Sequence, residues 1–226
     1  MFVEGERRLR GGARMGWAVG LLGCGCATAG SFQTAHTVGP GGWELGADGS
    51  ALVIVDQTAD MPYLVLPRVA GRVGVSERTE LSGSVGLDGV TFGPRVQLTD
   101  TDDEGVIVTV GASAKALPFP TGESGLAMLA GAAESVYVGL PTSEVGQVVL
   151  VGRAAQDVAF GSGNQATLLW GGGSLGYSWF ADERFRLAPE VGAMVPMLVV
   201  DESGDTTGFP GAVVQVGLGF AYGRRR

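Results

Sequence analysis

The chain has 226 residues, a formal net charge of −8, 40 glycines and 17% charged side chains, with a mean hydropathy of +0.25. That length fits one β domain, no apolar run approaches the ~18 residues of a membrane helix, and the acidic balance argues against a nucleic-acid partner. A glycine content this high can signal disorder, but here the glycines recur among Val, Leu and aromatic residues at regular spacing, which excludes it.

The first segment reads as an export signal. Arg7, Arg8, Arg10 and Arg14 form a positive region, and Met15 to Leu22 is a short apolar core. Arg7-Arg8 lacks the rest of a twin-arginine motif. Leu21-Leu22-Gly23-Cys24 resembles a bacterial lipobox, which makes Cys24 the lipidation candidate and residues 1–23 the signal peptide. Cys26 is a second candidate, and plain cleavage near Ala27 or Ala29 is the alternative. Both cysteines fall in this segment, so the body has neither a disulfide framework nor thiol chemistry. Residues 24–42 are expected to be a polar periplasmic lead, 43–223 a barrel and 224–226 a basic tail.

From residue 43 onward an apolar face alternates with a face of Gly, Ser, Ala and occasional charges. Period-two alternation is the strand signal. Ten strands are predicted, at 43–55, 63–76, 80–88, 90–99, 106–117, 125–140, 146–159, 166–180, 185–199 and 212–223. The connections at 77–79, 100–105, 141–145 and 181–184 are expected to be short turns on the signal-peptide side. Those at 56–62, 118–124, 160–165 and 200–211 are expected to be longer loops, and Asp88-Gly89 a tight hairpin turn. Residues 126–133 alternate poorly and would also suit a helical turn. Merging 80–99 into a loop would leave eight strands. Gly171-Gly172-Gly173 suggests a bulge or bend.

This pattern, behind an export signal, predicts an all-β, antiparallel up-and-down transmembrane β-barrel in the bacterial outer membrane. A soluble barrel also alternates, with its apolar face inward. Three features favour the inverted arrangement. The polar face is small (Ser82, Ser84, Gly86, Gly176, Ser178, Gly217, Gly219), as a narrow lumen requires. Trp43, Tyr177, Trp179, Phe185, Phe220 and Tyr222 would form one aromatic girdle, and Tyr63, Phe92, Phe160 and Trp170 the other. The third feature is the export signal itself. With the apolar face in lipid, Glu44, Asp48, Glu80, Asp157 and Glu190 point into the lumen, as do Arg68, Arg72, Arg95, Lys115, Arg153 and Arg186. The face of Glu134 is left open. The near balance of signs predicts interior ion pairing and a largely closed lumen.

The lead Cys26 to Gly46, with Gln33-Thr34-Ala35 and Gly39-Pro40-Gly41, resembles the start of small, mostly uncharacterised bacterial outer-membrane β-barrel proteins with a lipoprotein-like signal. The hairpins Val73 to Leu81 and Leu175 to Leu187 look like their periplasmic turns. The resemblance implies outer-membrane lipid, lipopolysaccharide and the barrel assembly machinery as partners. Barrels of the wider class end on an aromatic residue, whereas here Tyr222 is followed by Gly223 and three arginines.

No catalytic, cofactor or metal site is read from the chain. His36 is the sole histidine and lies in the lead, so no zinc spacing and no triad can be built in the body. Asp100 to Glu104 could bind Ca²⁺ through carboxylate oxygens but lacks the spacing of a dedicated calcium loop and reads more simply as a hydrated turn. Asp201 to Asp205, on a predicted extracellular loop, could meet divalent ions that bridge lipopolysaccharide but reads more simply as an exposed loop. The leading expectation is a non-enzymatic barrel with a structural or surface-interaction role. The alternatives are a small-solute or ion channel lined by Arg68, Arg72, Arg95 and Arg153, a lipid-acting barrel enzyme, and a soluble periplasmic β-rich lipoprotein.

Overall fold

A computed structural model describes residues 32–56, 63–100, 105–121, 125–161, 164–201, 206–207 and 211–224. The strands are β1 (Trp43–Asp56), β2 (Tyr63–Gly74), β3 (Thr79–Gly86), β4 (Gly89–Gln97), β5 (Ile107–Thr121) and β6 (Gly125–Ser143). There follow β7 (Gly146–Gly161), β8 (Asn164–Phe180), β9 (Phe185–Asp201), the two-residue β10 (Thr206–Thr207) and β11 (Gly211–Arg224). Among the described residues there is no helix. Every long strand pairs antiparallel with its sequence neighbour, and β11 pairs with β1 from Gly211↔Asp56 to Arg224↔Trp43. That seam closes a ten-strand up-and-down barrel and leaves no free edge.

Two local expectations change, on loop length and on the triple glycine, and two alternatives, a helical turn and eight strands, fall away. Residues 126–133 are regular strand within β6, because each pairs with β5 and those from Met128 onward pair with β7 as well. The expected loops at 118–124 and 160–165 are largely absorbed into strands of 15–19 residues. A membrane strand needs only ~9–11 residues, so the wall stands tall at β5–β9 and low at β3 and β4. The triple glycine does not interrupt β8. The register shift lies beside it, at Leu169/Trp170 against β9. The β3–β4 hairpin is real, so the count is ten and not eight, and its turn closes on Gly89 at φ 106°, a conformation that only glycine adopts without strain.

The two faces of the wall are inverted relative to a soluble protein. Leu45, Val65, Val69, Val85, Phe92, Val216 and Leu218 are each more than half exposed on the outside. Glu44, Asp48, Arg72, Glu80, Arg95, Asp157, Arg186 and Glu190 are each at most 8% exposed inside. Trp43, Tyr177, Trp179, Phe220 and Tyr222 are exposed around the end where the chain enters, here termed the turn end. Phe92 and Phe160 are exposed towards the opposite, loop end, but Trp170 is not part of that girdle: it points inward and is 3% exposed. Glu134 faces outward between Ala112 and Ala154.

Candidate functional site

The lead does more than precede the barrel. Residues 32–38 lie inside its turn-end half, with Phe32, Thr34, Ala35 and Val38 at 5% exposure or less. The segment forms no strand, and side chains of the wall satisfy its backbone instead. Glu190 Oε2 accepts from Phe32 N (2.7 Å), Gln147 Oε1 from Ala35 N (3.2 Å), Gln97 Oε1 from Thr37 N (3.1 Å) and Glu80 Oε2 from Val38 N (2.9 Å). The carbonyls of Phe32, Thr34 and His36 accept from Arg186 (2.8 Å), Arg95 (2.6 Å) and Arg72 (2.9 Å). The Ala35 carbonyl accepts from the Thr109 hydroxyl. Buried backbone groups must be satisfied, and here the strand interior does for a peptide what a neighbouring strand would otherwise do.

Glycines in the wall make room for this plug. A Cβ on Gly217 would stand 2.6 Å from the Phe32 ring, and one on Gly219 would stand 2.7 Å from the Phe32 Cβ. A Cβ on Gly139 would stand 2.7 Å from that of Ala35. Phe32 itself holds φ at 47°, a conformation that a bulky residue keeps only when its surroundings over-determine it. The guanidinium of Arg68 lies 5.8 Å from its ring centroid. At Gly219 the three nearest neighbours of an added Cβ all belong to Phe32. Gly219→Val should therefore expel the plug and leave the wall standing. A cysteine placed at Ala35 should become rapidly labelled by a water-soluble maleimide in that background, with heat-modifiable migration unchanged. Slow labelling in both backgrounds would contradict the cradle.

Beneath the plug runs an ionic ladder across five strands. Glu44 on β1 binds Arg72 on β2 (3.1 Å) and Arg186 on β9 (2.6 Å). Arg72 also reaches Glu80 on β3 (3.4 Å), and Glu80 pairs with Arg95 on β4. Arg186 must span β11 to reach Glu44, and β11 presents only Gly219, Ala221 and Gly223 there. Asp48 pairs with Arg68 (3.1 Å). The Arg95 guanidinium stacks 4.1 Å from the Tyr137 ring centroid. The Ser174 hydroxyl donates to Glu190, and Arg153 Nε donates to Ser135 Oγ (3.2 Å). Asp88, in the tight β3–β4 turn, is 2% exposed. It adds a sixth inward acid to set against six inward bases.

Two further layers complete the interior. A cavity of about 70 Å³, enough for a handful of waters, is bordered by Arg68, Lys115, Arg153 and Asp157 together with Ser113 and Ser135. Beyond it, towards the loop end, Leu52, Leu66, Leu168, Trp170, Met194 and Val213 pack into an apolar cluster that crosses the lumen. Ala35 joins Ile107, Tyr137, Val149 and Val151 in a second cluster at the plug.

At the turn-end rim, Trp43 and Tyr222 meet edge to face (6.1 Å) across the β1–β11 seam, and Arg184 Nη1 donates to the Tyr222 hydroxyl (3.2 Å). In the β8–β9 turn the Asp182 carboxylate accepts from the backbone N–H of Arg184 (2.7 Å) and of Phe185 (2.6 Å). These two bonds, that from Arg184 foremost, hold the Asp182 carboxyl below the usual carboxylate range. Asp100 pairs with Arg78 on the surface. Cys24, residues 101–104 and residues 202–205 lie outside the described residues. No cluster of metal-ligating side chains occurs among the described residues.

Sequence reasoning placed Arg72, Glu80, Arg95, Arg186 and Glu190 in the lumen but missed the plug they hold and three residues that hold it with them. Gln97 and Gln147 sit on inward positions beside the turns, and Thr109 follows the same parity. The paired inward glycines Gly217 and Gly219 of β11 were the available signal, because they leave room beside the wall for the Phe32 ring.

No known protein family matches the chain, and no curated protein matches it. Solved structures do. An outer membrane channel from Pseudomonas putida F1 is 8% identical, covering 84% of this chain and 97% of its own, with a TM-score of 0.43. Ail, the attachment invasion locus protein of Yersinia pestis, is 10% identical over 81% of this chain and 99% of its own (TM-score 0.41). The translocator domain of the autotransporter NalP from Neisseria meningitidis is 11% identical over 93% and 95% (TM-score 0.40). At such identities the likeness is one of architecture alone.

Proposed function

We propose that this chain is a non-enzymatic barrel of the bacterial outer membrane, with a structural or surface-interaction role and a lumen shut to steady passage. The observation that carries the reading is the double closure of the interior. The plug and the ionic ladder fill the turn-end half, and the apolar cluster around Trp170 and Met194 crosses the other. Ten strands enclose a space close to the size that side chains fill, and six acids against six bases leave no single-sign lining to select an ion. Outward Val, Leu and Phe side chains set in lipid, and rim aromatics at its interface, support the membrane location. His36 has its backbone carbonyl held by Arg72 inside the plug. Outer-membrane lipid and lipopolysaccharide would surround the wall, and the barrel assembly machinery would insert it.

The test is planar-bilayer recording on the purified, heat-modifiable protein. The expected result is little or no stable conductance. A large, steady, ion-selective conductance would overturn the closed reading in favour of a solute channel.

A further inference from the structure

We propose that the turn-end half of the lumen is a binding site for a short, bent peptide, with residues 32–38 as its resident occupant. The ligand class is a short segment with an aromatic residue, then a hydroxyl residue two positions on, then a small residue.

The argument starts from what holds the segment. Its backbone meets both acceptors and donors: Glu190, Gln147 and Glu80 take its N–H groups, while Arg186, Arg95 and Thr109 give to its carbonyls. Backbone-directed bonds of this kind fix a peptide chain without reading most of its side chains. Three positions are read. The ring of Phe32 fills the Gly217–Gly219 cradle, the Thr34 hydroxyl accepts from Arg72 (3.0 Å), and Ala35 sits where Gly139 leaves room for little more than a methyl group.

The seat is built without its occupant. Arg72, Glu80, Arg95 and Arg186 pair with one another and with Glu44 along the wall, and Glu190 keeps the Ser174 hydroxyl, so the charges that grip the peptide already have partners in the wall. Withdrawal of the segment would strand none of them, and water can replace its backbone bonds at the end where the chain enters. The apolar cluster lies across the inner end, from Leu66 on β2 to Ala155 on β7. The site is thus a blind receptacle that faces the turn end. Its occupant can be exchanged for a like segment in trans, whether or not the outer half conducts.

The test uses the full chain in detergent micelles and a fluorescein-labelled synthetic peptide spanning residues Gly30 to Gly39. Phe32→Ala in the full chain weakens the resident occupant and leaves the seat intact. This variant is expected to bind the peptide saturably by fluorescence anisotropy. The parent should bind at least about tenfold more weakly, because its own tethered segment competes at high effective concentration. A peptide methylated on the backbone nitrogen of Val38, which removes the donor to Glu80, should lose roughly tenfold or more. Adding Gly219→Val to the Phe32→Ala chain should abolish binding by filling the cradle. Heat-modifiable migration of each variant establishes that it is folded. Absence of saturable binding to folded Phe32→Ala protein overturns the proposal. So do equal binding by parent and variant, indifference to the methyl group, or binding that survives Gly219→Val. Conductance is read separately, so failure here and failure of the closed-barrel reading are distinguishable.

Discussion

Replacing Glu80 with alanine is expected to destabilise the barrel by about 3–5 kcal/mol, the usual cost of leaving a buried charge without its partner. Glu80 has no exposed surface and lies between Arg72 and Arg95. Without it the two guanidiniums face each other across β3, and the Val38 N–H of the plug loses its acceptor as well. The measurement is urea unfolding followed by tryptophan fluorescence in detergent micelles. Glu183, exposed in the β8–β9 turn, is the control: Glu183→Ala should change stability by less than about 0.5 kcal/mol. Equal effects of the two substitutions would mean that the ladder contributes nothing to the fold.

The second large effect concerns the outer face. Val216 is 57% exposed on the wall of β11, and Val216→Arg should cost about 2–4 kcal/mol if the site lies near the membrane midplane. The cost arises because lipid offers the guanidinium neither water nor a counter-ion. Parity alone would nominate Gln215→Arg as a mild comparison, since Gln215 faces the lumen. Its 1% exposure says otherwise, because a longer side chain there would overpack. Ser113→Asp is the better inward comparison. It borders the cavity shared with Lys115 and Arg153, and it should cost less than about 1 kcal/mol. Refolding yield and urea midpoint in lipid vesicles would report both. An arginine tolerated at Val216 as readily as an aspartate at Ser113 would contradict the assignment of faces.

The strand count and the sidedness of the wall were legible before any coordinates. Both depend on a local property: in a strand, residue i and residue i+2 share a face, so Val214, Val216, Leu218 and Phe220 declare their side from eleven consecutive residues. Boundaries were less legible, because strand length at β5–β9 is decided by pairing with a neighbour. Residues 126–133 show this most clearly, being strand only because β5 and β7 flank them.

What the tertiary structure alone decided is how the interior is filled. Alternation marks Glu44 as inward but does not say that it meets Arg72, 28 residues away, and Arg186, 142 residues away. Closure of the sheet brings those three together, and the small residues of β11 allow the span. Trp170 has an aromatic's preference for an interface, yet its parity within β8 commits it to the interior once β7 and β9 fix the register. The plug was the least legible feature. Its bonds run from wall side chains to its backbone, and a backbone group leaves no mark in the order of residues. Residues 32–38 therefore look like any polar lead until the barrel closes around them.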